Sequence, residues 1–177
     1  MVRKELSVAG LLASVKKYFS RGDKHHPDFK GIKTSDALMC GVAVFGMKCP
    51  SLLQFDSLSK EGKISFNLKN LYHVEKAPSD TYMREMLDKV NPHEIRGAFK
   101  ELFTVAQRGK VLERFVYMDK YYLLSIDGTG YFSSHQVHCD SCCEKHHRDG
   151  SVTYYPQMLS AVIVHPFEKV VLPLAPE

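Results

Sequence analysis

The chain has 177 residues, of which 44% are hydrophobic and 25% are charged, with a net charge of +4. This composition is close to the globular average, so it excludes a disordered or fibrous chain, and the length fits one or two domains. The chain has no apolar run of the roughly 18 residues that a membrane span needs. Lys16 and Lys17 interrupt the short apolar stretch near the start, and no small-residue cleavage site follows, so a secretory signal is not predicted. We therefore expect a cytoplasmic protein.

The positive charge is concentrated at the start of the chain. Residues 1–33 hold eight Lys or Arg and three acidic residues, whereas the other 144 residues carry a net charge of −1. A basic leading segment on a near-neutral body is typical of a protein that binds a polyanion, usually DNA or RNA, although a solvated helix face has the same composition. If DNA is the partner, the cations expected to contact its phosphates are Lys16, Lys17, Arg21, Lys24, Lys30 and Lys33.

The first part of the chain is predicted to be helical. Apolar residues recur at helical spacing from Leu6 to Phe19, which indicates an amphipathic helix, and residues 21–33 are predicted to be a loop. A second helix, apolar nearly all round and therefore buried, is predicted to begin near Thr34, with Thr34 or Ser35 as its cap.

Caps and apolar spacing predict three more helices in this part of the chain. They cover Ser51 to Leu58, the segment that follows a cap at Ser79 or Asp80, and the segment from Asn91 to Gly109. Residues 60–79 are mixed and polar, and no element is predicted there. We therefore expect a helical N-terminal domain over residues 1–110, with DNA binding as its candidate role.

The pattern changes to short apolar or β-branched runs after Leu112, which predicts strands. These runs are 115–118, 121–126, 158–164 and 170–174. Pro156 removes a ladder hydrogen bond, so strand pairing is expected to begin after it. The predicted fold class is thus α+β, with a helical domain followed by a sheet over residues 111–177.

The strand predicted over 121–126 leads directly into Asp127-Gly-Thr-Gly. A carboxylate held at the end of a stiff strand suits metal-assisted chemistry on phosphodiesters, and Mg²⁺ or Mn²⁺ prefers such hard oxygen ligands. The alternative is a turn, because Asp-Gly is also the commonest hairpin signal. Local spacing alone leaves both interpretations open.

Three of the five cysteines lie within five positions and are flanked by histidines. An odd number of cysteines in a cytosolic chain does not indicate a disulfide framework, and Cys40 and Cys49 lie in an apolar stretch typical of a core. The cluster has a Cys-x2-Cys followed after three residues by a pair of histidines, and thiolate and imidazole are the ligands that Zn²⁺ prefers. An exposed hairpin loop without metal is the alternative. The candidate ligands are Cys139, Cys142, Cys143, His146 and His147.

Five phrases of the sequence, taken in order, resemble the front half of insertion-element transposases of the DDE class. They are Ser79-Asp-Thr-Tyr-Met-Arg-Glu-Met-Leu-Asp, Tyr122-Leu-Leu-Ser-Ile-Asp-Gly-Thr-Gly-Tyr, His138-Cys-Asp-Ser-Cys, Gly150-Ser-Val-Thr-Tyr-Tyr and Val171-Leu-Pro-Leu-Ala-Pro-Glu. The resemblance spans about residues 34–177. The phrase around Asp127 and the Leu-Pro-Leu-Ala-Pro-Glu ending are its most specific parts.

The resemblance implies a catalytic domain of RNase H-like fold after the helical domain. Asp127 is then the first of three catalytic carboxylates, and the segments at 158–164 and 169–174 are the next two strands of an antiparallel meander. The family's second Asp and its Glu lie beyond residue 177, which makes residues 111–177 a truncated start of that domain. The chain is therefore expected to be inactive alone in the DNA strand transfer that the full-length family performs with Mg²⁺ or Mn²⁺. Its expected partners are DNA and, through an unpaired sheet edge, a second copy or a full-length transposase.

The resemblance also bears on the cysteine cluster, because the family carries a Cys-x2-Cys with a nearby His at this place. The zinc ligands it implies are Cys139, Cys142 and one of His146 or His147, with Cys143 or His138 as alternatives. Pro156 stands where the family usually has a His. The alternative function is that of a small non-enzymatic, zinc-containing DNA-binding or regulatory protein.

Overall fold

The computed structural model describes residues 4–24, 31–130 and 132–177. The chain divides into two compact units, Met1–Lys110 and Val111–Glu177. The first is helical and the second is built from antiparallel strands, so the predicted α+β class is confirmed. None of the helices in the described segments is both long and apolar enough to cross a membrane.

The helical unit opens with a short 3₁₀ helix, Lys4–Leu6. The α-helices that follow in its described residues are α1 (Val8–Gly22), α2 (Thr34–Gly46), α3 (Leu52–Lys60), α4 (Ser65–Asn70), α5 (Asp80–Leu87) and α6 (Pro92–Arg108). Ser51 caps α3, because its hydroxyl accepts a hydrogen bond from the Gln54 backbone N–H. Asn91 caps α6, because its side-chain oxygen accepts a hydrogen bond from the His93 backbone N–H. Gly109 is the C-cap that ends helix α6, as its sequence predicts.

Three local predictions in this unit are wrong. The cap of α2 is Lys33 rather than Thr34 or Ser35, and its side chain makes no capping bond because an ammonium group has no acceptor. The carboxylate of Asp23 accepts the Ser35 N–H and hydroxyl instead. Helix α1 runs on to Gly22, into the predicted loop, while residues 25–30 of that loop lie outside the described residues. Helix α4 occupies part of the stretch 60–79 in which no element was expected.

The core of the helical unit is centred on α2. Met39, Cys40 and Ala43 are fully buried, as the all-round apolar pattern of this helix predicts, and Phe55 of α3 and Met83 of α5 join the same cluster. Burial raises the pKa of Cys40 to about 12, so its thiol stays protonated at neutral pH. The interpretation of Cys40 as a core residue is confirmed.

The second unit opens with a 3₁₀ helix, Val111–Phe115. Its strands are β1 (Val116–Tyr117), β2 (Tyr121–Gly130), β3 (Cys143–His146), β4 (Val152–Tyr155), β5 (Gln157–Val164) and β6 (Leu172–Pro173). One antiparallel sheet has the order β1-β2-β5-β6, and β3 and β4 form a separate hairpin. Strands β2, β5 and β6 thus form an antiparallel meander.

Two strand predictions need correction. Strand β2 does not end at Ile126 but continues through Gly130, and Asp127 pairs with Ser160 of β5 inside the ladder. Pairing does begin again at Gln157, after Pro156, but β4 already pairs with β3 before it. Pro156 therefore separates two strands that belong to different sheets, where its missing N–H interrupts neither ladder.

One face of the main sheet exposes large apolar side chains. Leu124 and Ile126 of β2 and Leu159 of β5 point to the same side, because paired residues and alternate residues share a face, and each is more than half exposed. Beyond Tyr122, the outer edge of β2 has no strand partner among the described residues. The sheet therefore has an exposed apolar patch on one face, although Ile163 on that face is buried, and it has an open edge.

Candidate functional site

Asp127 lies on an extended strand, not in a reverse turn. Its carboxylate is exposed on the opposite face from Ile126, with the hydroxyls of Ser125 and Thr129 on either side along β2 and that of Ser160 across the ladder. No hydrogen bond or ion pair joins this carboxylate to the described residues. The strand thus holds a free carboxylate on a stiff support, three residues before the strand ends.

A two-metal centre needs several carboxylates around a pair of ions a few ångströms apart. Within the described segments, no group of three His, Cys, Asp or Glu side chains is placed to hold a metal ion. Hydroxyls surround Asp127 where such a centre would need further carboxylates. The residues present therefore do not fit a two-metal centre by themselves.

Cys139 and Cys142 stand at the two ends of a tight turn. The Cys142 N–H donates to the Cys139 carbonyl oxygen at 3.0 Å, and the two Sγ atoms are 3.3 Å apart. The Cys139 N–H also donates to Cys142 Sγ at 3.3 Å. The hydrogen bond from the Cys142 thiol, with a further one from the Ser141 N–H, lowers the pKa of the Cys139 thiol. This segment, Cys139 to Cys142, is called the cysteine turn below.

The cysteine turn is fixed at both ends to strand β4. Just before it, the His138 ring contacts the Tyr154 ring edge-on, with centroids 4.1 Å apart. Just after it, Cys143 pairs with Tyr155 in the β3–β4 ladder. Neighbouring residues of one strand therefore anchor the backbone on both sides of the turn.

The other predicted zinc ligands do not gather around the cysteine turn. Cys143 and His146 lie on opposite faces of β3, because they are three residues apart in a strand. His146 Nε2 lies 3.1 Å from a carboxylate oxygen of Glu144, and His147 Nε2 lies 2.8 Å from Thr153 Oγ1. Both imidazoles thus have other partners, and only the two sulfurs of the turn stand together.

The geometry of those two sulfurs is close to what zinc requires. Two Zn–S bonds of about 2.3 Å at a tetrahedral angle place the sulfurs about 3.8 Å apart. The observed 3.3 Å needs a small opening to reach that value. Cys139 and Cys142 therefore fit half of a tetrahedral site.

The cations predicted to contact DNA divide into distinct groups. Lys17 and Lys24 are exposed and have no ion pair within the described residues. Arg21, one helical turn after Lys17, is exposed but pairs with Glu101 at 2.6 Å, and Lys33 lies 3.4 Å from Glu75. Lys30, the sixth predicted contact, lies outside the described residues.

Lys16 points inward, contrary to the prediction that it contacts phosphate. Its ammonium contacts the carboxylate of Asp36, which is 2% exposed, and lies 3.1 Å from the hydroxyl of Ser35. Asp23 accepts hydrogen bonds from both the N–H and the hydroxyl of Ser35. Sequence reasoning missed this buried network, and its one signal was the acidic residue in the first turn of an otherwise apolar helix.

Comparison of the chain with models of protein families, with curated proteins and with solved structures gave no match. The resemblance to DDE-class transposases therefore depends on the sequence phrases alone.

Proposed function

We propose that this chain acts on DNA as the front part of a DDE-class transposase. The observation that carries the proposal is Asp127, a free and exposed carboxylate inside the strand that begins an antiparallel meander. In this proposal the carboxylate is the first of the three that a DDE centre uses, and the other two come from outside these residues.

The order of the strands supports an RNase H-like start. The resemblance implies a first strand with the carboxylate, followed by two more antiparallel strands, and β2, β5 and β6 have that order. In this proposal the β3–β4 hairpin is an insertion between the first two strands of the meander. Leu124 and Ile126 expose apolar side chains on the sheet, as expected for a face against which helices would pack in a complete RNase H-like domain.

The helical unit supplies the DNA contacts in this proposal. Lys17 lies on α1, and Lys24 follows the end of the same helix. Both are exposed and carry charge that no carboxylate of the described residues neutralises. Such lysines bind phosphates and set affinity without reading sequence. Lys16 is removed from the set because Asp36 already neutralises it.

Salt-dependent binding tests the proposal. The affinity of the whole chain for a double-stranded DNA fragment is measured by fluorescence anisotropy at about 50 and 200 mM salt. Each phosphate contact releases counterions, so the affinity should fall steeply as salt rises. No binding at the lower concentration, or an affinity that does not change with salt, would contradict the proposal.

A second candidate function is favoured by the cysteine turn. In this alternative the chain is a non-enzymatic, zinc-containing DNA-binding or regulatory protein, and Cys139 and Cys142 supply two ligands. Zinc would then copurify in a fixed ratio to the chain. The variants Cys139→Ser and Cys142→Ser should lose the bound zinc, whereas Cys40→Ala, which changes a buried cysteine, should retain it. Protein purified from zinc-supplemented cells that carries no zinc would exclude this alternative.

A further inference from the structure

The cysteine turn has a chemistry that neither proposed function uses. We propose that Cys139 and Cys142 are a dithiol that closes to an intramolecular disulfide by exchange with a low-molecular-weight disulfide. This inference goes beyond DNA binding and does not depend on it.

The geometry of the turn nearly meets the requirements of a disulfide. The i to i+3 hydrogen bond between Cys142 and Cys139 is that of a tight turn, whose end Cα atoms lie within about 7 Å, and disulfides span about 4.4–6.8 Å between Cα atoms. The sulfurs are 3.3 Å apart, and an S–S bond is about 2.05 Å long. A small side-chain rotation closes that gap without a change in the β3–β4 hairpin.

The other cysteines are poorly placed to compete. Cys143 neighbours Cys142, but its backbone is held in β3 by pairing with Tyr155, and among the described residues no hydrogen bond joins its sulfur to either sulfur of the turn. Cys40 is fully buried in the helical core. The sulfurs of Cys139 and Cys142, which are 3.3 Å apart, are therefore the pair expected to form the disulfide. The contacts to Tyr154 and Tyr155 anchor the backbone on both sides of this pair.

The exchange proceeds in two balanced steps. Cys139 is exposed whereas Cys142 is half-buried, so the small disulfide reaches Cys139 more readily. The Cys139 thiol loses its proton to solvent, its thiolate attacks one sulfur of the small disulfide, and the other sulfur leaves as a thiolate. Cys142 then loses its proton to solvent and attacks Cys139 Sγ, which breaks the mixed disulfide and releases the second small thiolate. The protein loses two electrons and two protons, and the small disulfide is reduced to two thiols.

The test treats the whole metal-free chain with oxidised glutathione, after a chelator has removed any bound metal. Free thiols are then alkylated and the protein is digested with trypsin. The segment from Cys139 to Cys142 contains no Lys or Arg, so residues 121–145 stay in one peptide that holds Cys139, Cys142 and Cys143. The expected product has lost two hydrogen atoms, carries one alkyl group, on Cys143, and regains two more alkylation sites after treatment with dithiothreitol.

Matched variants make the outcome specific. Cys143→Ser should form the disulfide as the unchanged chain does, whereas Cys142→Ser should stop at a glutathione adduct on Cys139. Tyr154→Ala, which removes the anchor before the turn, should slow closure several-fold. Three alkyl groups on the oxidised peptide, a glutathione adduct that persists in the unchanged chain, or a disulfide that links two chains would overturn the proposal. None of these readouts uses DNA, so the result is independent of the proposed function.

Discussion

The ammonium of Lys16 contacts the carboxylate of Asp36, and the pair joins α1 to the first turn of α2 in the core of the helical unit. Their side chains are 16% and 3% exposed, and the Lys76 backbone N–H, at 3.3 Å, donates to the second oxygen of Asp36. Water cannot solvate either charge well, so each depends on the other. Ser35 and Asp23 extend this network to the end of α1.

Removal of one partner of this pair should be costly. Lys16→Met leaves the Asp36 charge buried without its counter-ion, and losses of about 3–5 kcal/mol in the free energy of unfolding are usual for such a change. In the double variant with Asp36→Asn, the remaining charge is removed while an acceptor for Lys76 is kept, so part of the loss should be recovered. Urea unfolding of the two variants gives the comparison. A double variant no more stable than Lys16→Met would show that the two charges are not coupled.

Close contact between α1 and α6 makes Gly97 sensitive to substitution. A Cβ at this position would lie 1.9 Å from the hydroxyl oxygen and 2.3 Å from Cζ of Tyr18, which donates a hydrogen bond to the Glu94 carbonyl oxygen. Gly97→Ala must displace the ring and should destabilise the protein by about 1–3 kcal/mol.

Gly41 on α2 is the control for Gly97. Its nearest neighbours would be side-chain carbons at 3.8 and 4.0 Å, an ordinary contact. Gly41→Ala should therefore be neutral, or stabilising by up to about 1 kcal/mol from helix propensity. Equal thermal stability of the two alanine variants would contradict the helix packing described here.

Two serines at helix N-termini provide a matched pair. The Ser51 hydroxyl accepts the Gln54 N–H at 3.1 Å, whereas Ser79 stands at the start of α5 without a side-chain capping bond. Ser51→Ala should cost about 1 kcal/mol in unfolding free energy, and Ser79→Ala markedly less. Chemical denaturation distinguishes them, and a larger loss for Ser79→Ala would contradict these cap assignments.

The single carboxylate of the main sheet leads to a prediction about activity. Because Asp127 has hydroxyls rather than carboxylates beside it, the chain alone should not cut plasmid DNA in Mg²⁺ or Mn²⁺. Asp127→Asn preparations serve as the control for contaminating nuclease. Metal-dependent nicking that is present in the unchanged chain and absent from Asp127→Asn would contradict the prediction.

The two Asp-Gly pairs of the chain show what sequence can and cannot predict. Asp149-Gly150 forms the turn between β3 and β4, where Gly150 has a φ of +84° and Asp149 binds the Ser151 N–H and hydroxyl. Asp127-Gly128 has the same local signal but stays extended, because β5 pairs with it residue for residue. Long-range pairing overrides local turn preference here, and such pairing is not visible in a local pattern.

Helix boundaries were predicted well wherever a cap and an apolar face coincide, as at Ser51 and Asn91. The candidate sites were predicted less completely. The two-residue spacing between Cys139 and Cys142 correctly indicated that their sulfurs lie close together. It could not show that His146 contacts Glu144 and that His147 contacts Thr153 rather than joining the two sulfurs. Charge counting likewise could not separate Lys16, which is half-buried and paired with Asp36, from its exposed neighbour Lys17. That difference depends on which face of α1 meets α2.

The most direct measurement of the proposed function is the slope of DNA affinity against salt for variants of the exposed lysines. Lys17→Ala/Lys24→Ala should reduce the magnitude of the slope of log affinity against log salt by about two, since each lost phosphate contact removes about 0.9. Lys63→Ala/Lys69→Ala removes the same charge from another part of the helical unit and should leave the slope unchanged. An equal effect of both double variants, or no effect of either, would contradict the claim that this end of α1 binds DNA.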